Sequence, residues 1–101
     1  MKKIDVTFDR FFGVVLGTDR AQAATMTLAP GQTTGDAENV HAGGDQWLFV
    51  VSGQGEATVA GERVALTKHT LLVIQAGEPH EVRNTGDAPL ETLNFYTPPE
   101  Y

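Results

Sequence analysis

Residues 39–53 read NVHAGGDQWLFVVSG, so a polar stretch passes through a Gly-Gly-Asp turn into a strongly apolar segment. Side chains alternate between the two faces of a β-strand, which places Gln46 on the face of Leu48 and Val50, with Trp47 on the other face. An amide on an apolar face must be hydrogen-bonded or must coordinate something, because burying it unpaired is costly. The stretch therefore predicts a core strand that carries one polar group inward.

Length and composition limit what this strand belongs to. The chain has 101 residues, 41% of them hydrophobic and 20% charged, which predicts a single soluble domain over residues 1–101. No apolar run approaches the roughly 18 residues that a membrane span needs. Acidic residues and an arginine interrupt the opening MKKIDVTFDR, which is therefore not typical of a signal peptide, and we expect a cytoplasmic protein.

The charge balance and the cysteine content exclude several classes of function. Seven Lys and Arg residues against 13 Asp and Glu residues give a net charge of −6, which argues against nucleic acid or an anionic membrane as partner. The chain has no cysteine, which excludes disulfides, thiolate metal sites and cysteine nucleophiles. This composition is compatible with a reducing compartment.

Glycine-rich turn signals divide the chain into eight short segments that are rich in Val, Leu, Phe and Thr. No segment shows a long period of 3.6 residues, so we expect an all-β sandwich or small barrel. The predicted strands cover residues 11–16, 23–28, 46–52, 56–59, 63–66, 70–74, 80–84 and 90–96.

One turn predicts a tight hairpin, because Ala60-Gly61 joins EATV to ERVAL and glycine supplies the positive φ that such a turn needs. We expect Val59 to face Val64 across the hairpin, and Ala57 to face Leu66. At the other end of the chain, NFYTPPEY contains a Pro-Pro pair that cannot continue a central strand. This tail is expected to end the sheet and fold over a barrel mouth or a partner.

Candidate metal ligands lie in two places. Asn39 and His41 are two residues apart before the turn, and His80 begins another predicted strand in GEPHEVRN. Imidazoles suit a first-row divalent metal, and amide oxygens are weaker additions to such a site. Glu81 should face away from His80 by strand alternation, and His69 is expected to be exposed at a turn.

These residues resemble the first motif of the cupin family, in which a His-x-His pair is followed by a glutamate and then a glycine. With Gly53 at the motif glycine, Gln46 stands at the glutamate, His41 at the second histidine and Asn39 at the first. In a competing register, supported by Gly35, His41 is the first histidine. That register leaves too few residues before Gln46 and ranks lower.

The second cupin motif resembles the stretch from His69 to Asn84. Gly77, His80 and Asn84 match it, whereas His69 and Gln75 stand where the family has glycine and proline. We expect Asn84 to order a turn. Between the motifs lie 15 residues, 54–68, a spacing similar to that of compact microbial single-domain cupins. The resemblance implies a cupin-type double-stranded β-helix, a jelly-roll barrel, over nearly the whole chain.

The resemblance also implies a metal site inside the barrel. Cupins usually hold divalent iron, manganese, nickel, zinc or copper with histidines and a glutamate, so the implied ligands here are His41, His80, Gln46 and Asn39. Asn39 is either a fourth ligand or a hydrogen-bond donor to substrate. Without the glutamate the site should bind a dication more weakly. Glutamine in its place resembles a recurring group of small cupins.

Three functions remain open from the sequence. The first is a metal-dependent enzyme that transforms a small molecule by dioxygenase, isomerase or decarboxylase-type chemistry. The second is a metal-free module that binds a small ligand, and the third is a dimeric structural protein with a vestigial pocket. An enzyme that moves protons needs a titratable group in the cavity, and Tyr96 would supply one only if it faces inward.

Apolar side chains that should face outward predict a symmetric homodimer. Trp47, Phe49 and Val51 share the outer face of one strand, and Phe11 and Phe12 add further apolar surface. A barrel of this size cannot readily bury all of this surface alone. The expected partners are therefore a small-molecule ligand and a second copy of the chain.

Overall fold

The computed structural model describes residues 1–35 and 43–101 of the chain. Within these ranges it contains eight strands, and every predicted strand is confirmed with its ends shifted by one residue at most. The strands are β1 Phe12–Gly17, β2 Gln22–Leu28, β3 Asp45–Ser52, β4 Gly55–Val59, β5 Glu62–Leu66, β6 Leu71–Ile74, β7 His80–Asn84 and β8 Leu90–Thr97.

The strands form two antiparallel sheets. The larger sheet has five strands in the order β1-β2-β8-β3-β6, and the smaller sheet has three in the order β5-β4-β7. Strands far apart in the sequence are neighbours, since β8 lies between β2 and β3. This arrangement is the jelly-roll, or double-stranded β-helix, that the resemblance implied.

The inward face of the larger sheet is divided into an apolar end and a polar end. Cross-strand register aligns Gln22 of β2, Tyr96 of β8 and Gln46 of β3 in one row. At the opposite end the inward side chains Leu28, Val50 and Leu90 are apolar and 0% exposed. The predicted alternation along β3 is confirmed, because Gln46, Leu48 and Val50 are buried whereas Trp47 is 41% exposed. The polar end is where a site can form.

The hairpin at Ala60-Gly61 forms as predicted, but its expected register is wrong. Both turn residues have positive φ, 49° and 81°, and a loop of two such residues closes directly on the flanking pair. Val59 therefore lies opposite Glu62, and Ala57 lies opposite Val64. The expected partners were two residues too far along β5. A two-residue turn pairs the residues on either side of it, and this first pair determines every later pair of the hairpin.

Two motif residues order the turns at the apolar end. Gly53 has a φ of 88°, and a side chain there would collide with the backbone of Pro89, so the close approach requires glycine. Asn84 holds the next turn as expected: its Nδ2 donates to the carbonyls of Leu28 (2.9 Å) and Ala88 (2.8 Å), and its Oδ1 accepts from Gly86 N.

The residues that the structure describes form no helix long and apolar enough to cross a membrane.

Two threonine hydroxyls, one without a hydrogen-bond partner and one that is hydrogen-bonded, should respond in opposite ways to replacement of the residue by valine. In the described residues, Thr27 Oγ1 is a buried side-chain oxygen with no hydrogen-bond partner. The Thr92 hydroxyl instead donates to Met26 O (2.8 Å) and accepts from Asn94 Nδ2 (3.0 Å). Valine has the same shape, so Thr27→Val should raise the free energy of unfolding by about 1 kcal/mol and Thr92→Val should lower it by about 2 kcal/mol. Urea unfolding measures both, and shifts of the same sign would contradict the assignment.

Candidate functional site

A cavity of about 380 Å³ opens at the polar end of the barrel. The two sheets both contribute to it, and two of the four predicted metal ligands, Gln46 and His80, are brought together in its wall. The other two, Asn39 and His41, lie outside the described residues. The described lining residues are Phe11, Phe12, Met26, Thr34, Gln46, His80, Val82, Tyr96, Glu100 and Tyr101.

Gln46 enters the cavity from β3 and is 3% exposed. Its Nε2 donates to Asn94 Oδ1 at 2.9 Å, and Asn94 Nδ2 donates in turn to Thr92 Oγ1 at 3.0 Å. The Thr92 hydroxyl donates to the backbone carbonyl of Met26 at 2.8 Å. The nitrogen end of the Gln46 amide therefore faces the protein interior, and its oxygen end lies on the other side of the group.

His80 enters from the first position of β7, in the opposite sheet, and is 6% exposed. Its Nδ1 lies 3.1 Å from Glu78 O, and because a carbonyl only accepts hydrogen bonds, Nδ1 carries the hydrogen. In the neutral ring the lone pair is then on Nε2, the atom that a metal or a hydrogen-bond donor uses. A backbone contact thus sets the tautomer.

The remaining histidine is placed away from the cavity. His69 is exposed at a turn with a φ of 74° and stacks on Phe49, with ring centroids 5.9 Å apart. Glu81 also faces away from the cavity, as expected, and lies 3.7 Å from Arg83 on the same strand. Across residues 1–35 and 43–101 no three His, Cys, Asp or Glu side chains gather into a metal-binding group.

Tyr96 faces inward, which decides a point that strand alternation left open. It is 3% exposed and its ring packs against Phe12 and Tyr101, with centroids 6.4 Å and 5.1 Å away. Burial raises the pKa of Tyr96 far above its ordinary value, and the nearby Tyr101 and Glu100 raise it further. Near neutral pH Tyr96 therefore keeps its proton and can donate a hydrogen bond, but it cannot act as a base.

The tail after β8 folds back over the cavity mouth, one of the two positions expected for it. Gln22 holds it: Nε2 donates to Tyr101 O at 2.7 Å, and Oε1 accepts from the backbone N–H of Tyr101 (2.9 Å) and Glu100 (3.2 Å). This places Glu100 and Tyr101 in the lining. Sequence reasoning missed Gln22, although it shares a face with Ala24 and Met26, and the argument applied to Gln46 would have identified it.

The buried tyrosine predicts a loss of stability at alkaline pH. A pKa raised above the ordinary value of 10.0 means that the folded state keeps the Tyr96 proton after the unfolded chain releases it. The contribution of this pKa difference to the free energy of unfolding is therefore constant below about pH 10, and it declines as the pH rises further. Urea unfolding between about pH 8 and pH 11.5 should therefore show a steep decline in wild type and a flatter one in Tyr96→Phe.

Tyr101→Phe is the matched control, since Tyr101 is 61% exposed. Burial also raises the pKa of Tyr101, but a hydrogen bond with Tyr96 lowers it, so this variant should flatten the curve less. Equal slopes in wild type and Tyr96→Phe would contradict the prediction.

Comparison with known proteins agrees with this architecture. Residues 24–96 match the family model described as a cupin domain. The chain is 30% identical over 71 residues to the tetracenomycin polyketide synthase protein TcmJ of Streptomyces glaucescens, and the match covers 70% of this chain and 46% of that protein.

Two solved structures are similar over most of the chain. The Bacillus halodurans protein BH2720 has a TM-score of 0.85 and 28% identity, with 90% of this chain and 72% of that one covered. A predicted oxalate decarboxylase from Thermotoga maritima has a TM-score of 0.79 and 25% identity, with 87% and 79% covered. On its family match and its fold, this chain belongs to the cupin family.

Proposed function

We propose that this chain is a cytoplasmic cupin that binds a small molecule at a divalent metal ion held in the barrel cavity by His80, Gln46, His41 and Asn39. One observation carries the proposal: Gln46 and His80 reach the same cavity from opposite sheets. Its volume of about 380 Å³ lies in the range of pockets that bind small molecules.

The chemistry of the described donors fits a first-row dication. The Nε2 of His80 and the amide oxygen of Gln46 both offer lone pairs, and such metals accept imidazole and amide oxygen. A bound metal would supply Lewis-acid polarisation of a ligand oxygen. The protein supplies the orientation of both donors through Glu78 O and Asn94.

Described residues on both sides of Asn39 and His41 in the sequence support the proposal that these two are further ligands. Thr34 and Gln46 lie on either side of residues 36–42, and both line the cavity. Thr34 Oγ1 also accepts a hydrogen bond from Val82 N at 3.0 Å, which ties the chain to β7 beside the site. The described chain therefore reaches the cavity both before and after Asn39 and His41 in the sequence.

The lining suggests the class of the ligand. Phe12, Met26 and Val82 offer an apolar wall, and no lysine or arginine lines the cavity among the described residues. The metal would then be the group that binds a polar or anionic oxygen of the ligand, while the apolar wall contacts the rest. We propose a small, partly apolar oxygen-bearing molecule, and the likeness to a polyketide synthase protein supports this class.

Metal content tests the site directly. Protein purified without an affinity tag and incubated with iron, manganese, nickel, zinc or copper salts should hold close to one metal ion per chain by elemental analysis. His80→Asn and His41→Ala should each lose most of it, because imidazole is the better donor, and Asn39→Ala should lose less. His69→Asn is the matched control, since asparagine tolerates the positive φ at that exposed position.

Equal metal content in all four variants would overturn the ligand assignment. Wild type that binds none of these metals would favour the metal-free binding module, and a cavity that then also binds no ligand would favour the structural dimer with a vestigial pocket.

The outer face of the larger sheet supports the proposed homodimer. Trp47 pairs with Phe95 and Val73 across the strands, and Phe49 pairs with Leu93 and Leu71. The exposed fractions on this face are 41% for Trp47, 41% for Phe95 and 62% for Leu71. A continuous apolar row of this kind is typical of an interface, and we propose that a second copy covers it. Phe11 and Phe12 line the cavity, so the dimer proposal rests on β3, β6 and β8.

A charge placed on this face should prevent the association. Sedimentation velocity at micromolar concentration should give a dimer for wild type and a monomer for Trp47→Glu. Val14→Glu is the control: Val14 is 43% exposed, but it pairs with the buried Ala24 and so lies on the other face of the sheet. A monomeric wild type, or a dimer that survives Trp47→Glu, would refute the proposed interface.

A further inference from the structure

We propose that Asn94 and Thr92 are positioning residues that hold Gln46 with its amide oxygen toward the cavity, and that they select glutamine over glutamate at this position. Both side chains are 0% exposed, and neither is among the described residues that line the cavity. They reach the Gln46 side chain through the hydrogen bond from its Nε2 to Asn94 Oδ1. The consequence for metal affinity rests on the proposed function, whereas the orientation of Gln46 does not.

The backbone carbonyl of Met26 sets the direction of the hydrogen-bond chain. A carbonyl only accepts, so the single hydroxyl hydrogen of Thr92 is used in the 2.8 Å bond to Met26 O. Thr92 Oγ1 must then accept in its 3.0 Å contact with Asn94, which turns the Asn94 amino group toward Thr92. Each bond in the chain follows from the one before it.

The orientation of Asn94 also determines which end of the Gln46 amide donates to it. With its amino group on Thr92, Asn94 presents Oδ1 to Gln46, and the 2.9 Å contact requires the Gln46 amino group as donor. The other end of the Gln46 amide, its oxygen, is then the end that faces the cavity. The Glu78 carbonyl likewise fixes the hydrogen of His80 on Nδ1 and leaves the lone pair on Nε2, so both groups offer lone pairs to the same cavity.

Glutamate does not fit this chain of bonds. An ionised carboxylate has no hydrogen to donate, so Asn94 would have to invert and turn its amino group toward residue 46. Thr92 could then donate either to Asn94 or to Met26 O, but not to both, and one buried hydrogen bond would be lost. In metal-free protein, Gln46→Glu should lower Tm by about 5–10 °C. Gln54→Glu, at an exposed position, should leave Tm unchanged within about 1 °C.

The orientation of Gln46 can be observed by NMR in metal-free, ¹⁵N-labelled protein. In wild type, the Gln46 side-chain amide hydrogens should exchange slowly with solvent and give nuclear Overhauser effects to the Asn94 β hydrogens rather than to the Val82 methyl groups. Thr92→Val removes the anchor and should produce faster exchange or two sets of signals. Thr92→Ser keeps the hydroxyl and should restore the wild-type pattern, and Thr27→Val is the isosteric control.

Binding of Co²⁺, followed by titration calorimetry, supplies the second readout. Thr92→Val should weaken the affinity about 10-fold, in keeping with the effect of outer residues that orient metal ligands. Thr92→Ser and Thr27→Val should remain within about 2-fold of wild type, because neither alters the direction of the chain. A general loss of packing would not be rescued by serine, which lacks the methyl group of threonine.

The outcomes separate the two proposals. Gln46 hydrogens that point into the cavity of wild type, or Thr92→Val signals identical to those of wild type, overturn the positioning role whatever metal is bound. Wild type that binds no Co²⁺ counts against the metal site, while the NMR pattern still decides the orientation. If Thr92→Val does not fold, the wild-type and Thr92→Ser spectra together decide it.

Discussion

The site depends on the antiparallel pairing of β3 with β8 in the middle of the larger sheet. The register runs from Asp45 opposite Thr97 to Ser52 opposite Glu91, and it places Gln46 beside Tyr96 and Leu48 beside Asn94. A slip of one residue would turn every side chain of β3 to the other face and bury Trp47 in place of Gln46. Burial of the apolar side chains of β3 therefore fixes the register that keeps Gln46 on the inward face beside Tyr96.

In this site the side chains that line the cavity differ from the groups that orient them. Gln46 and His80 contact the cavity, and each is oriented by a group that does not: Asn94 in one sheet and the Glu78 carbonyl beside the other. Both orienting contacts end at a backbone carbonyl, which can only accept a hydrogen bond. Met26 lies in β2 and Glu78 lies in the turn before β7, so the backbone itself determines which atoms of the two side chains face a ligand.

The mouth of the cavity is built from parts that are remote in the sequence. Gln22 at the start of β2 binds the backbone of Glu100 and Tyr101, and the aromatic rings of Phe12 and Tyr96 pack under the tail. The raised pKa of Tyr96 follows from this enclosure, because burial disfavours the phenolate. Tyr96 thus serves as a wall and a hydrogen-bond donor, which weighs against proton abstraction by this residue.

Short-range pattern in the sequence determined the eight strands, the faces of β3 and the candidate role of Gln46, because alternation and turn residues act over a few positions. It also placed His80 at the start of a strand. Long-range contacts were decided by tertiary structure alone: the inward orientation of Tyr96, the Gln22 contact with the tail, and the chain from Gln46 to Met26. The register of β4 with β5 was set by closure of the turn, which fixes partners that propensity does not distinguish. The direction of a hydrogen-bond chain likewise depends on which acceptor lies at its end, and only the packed sheets bring that acceptor within reach.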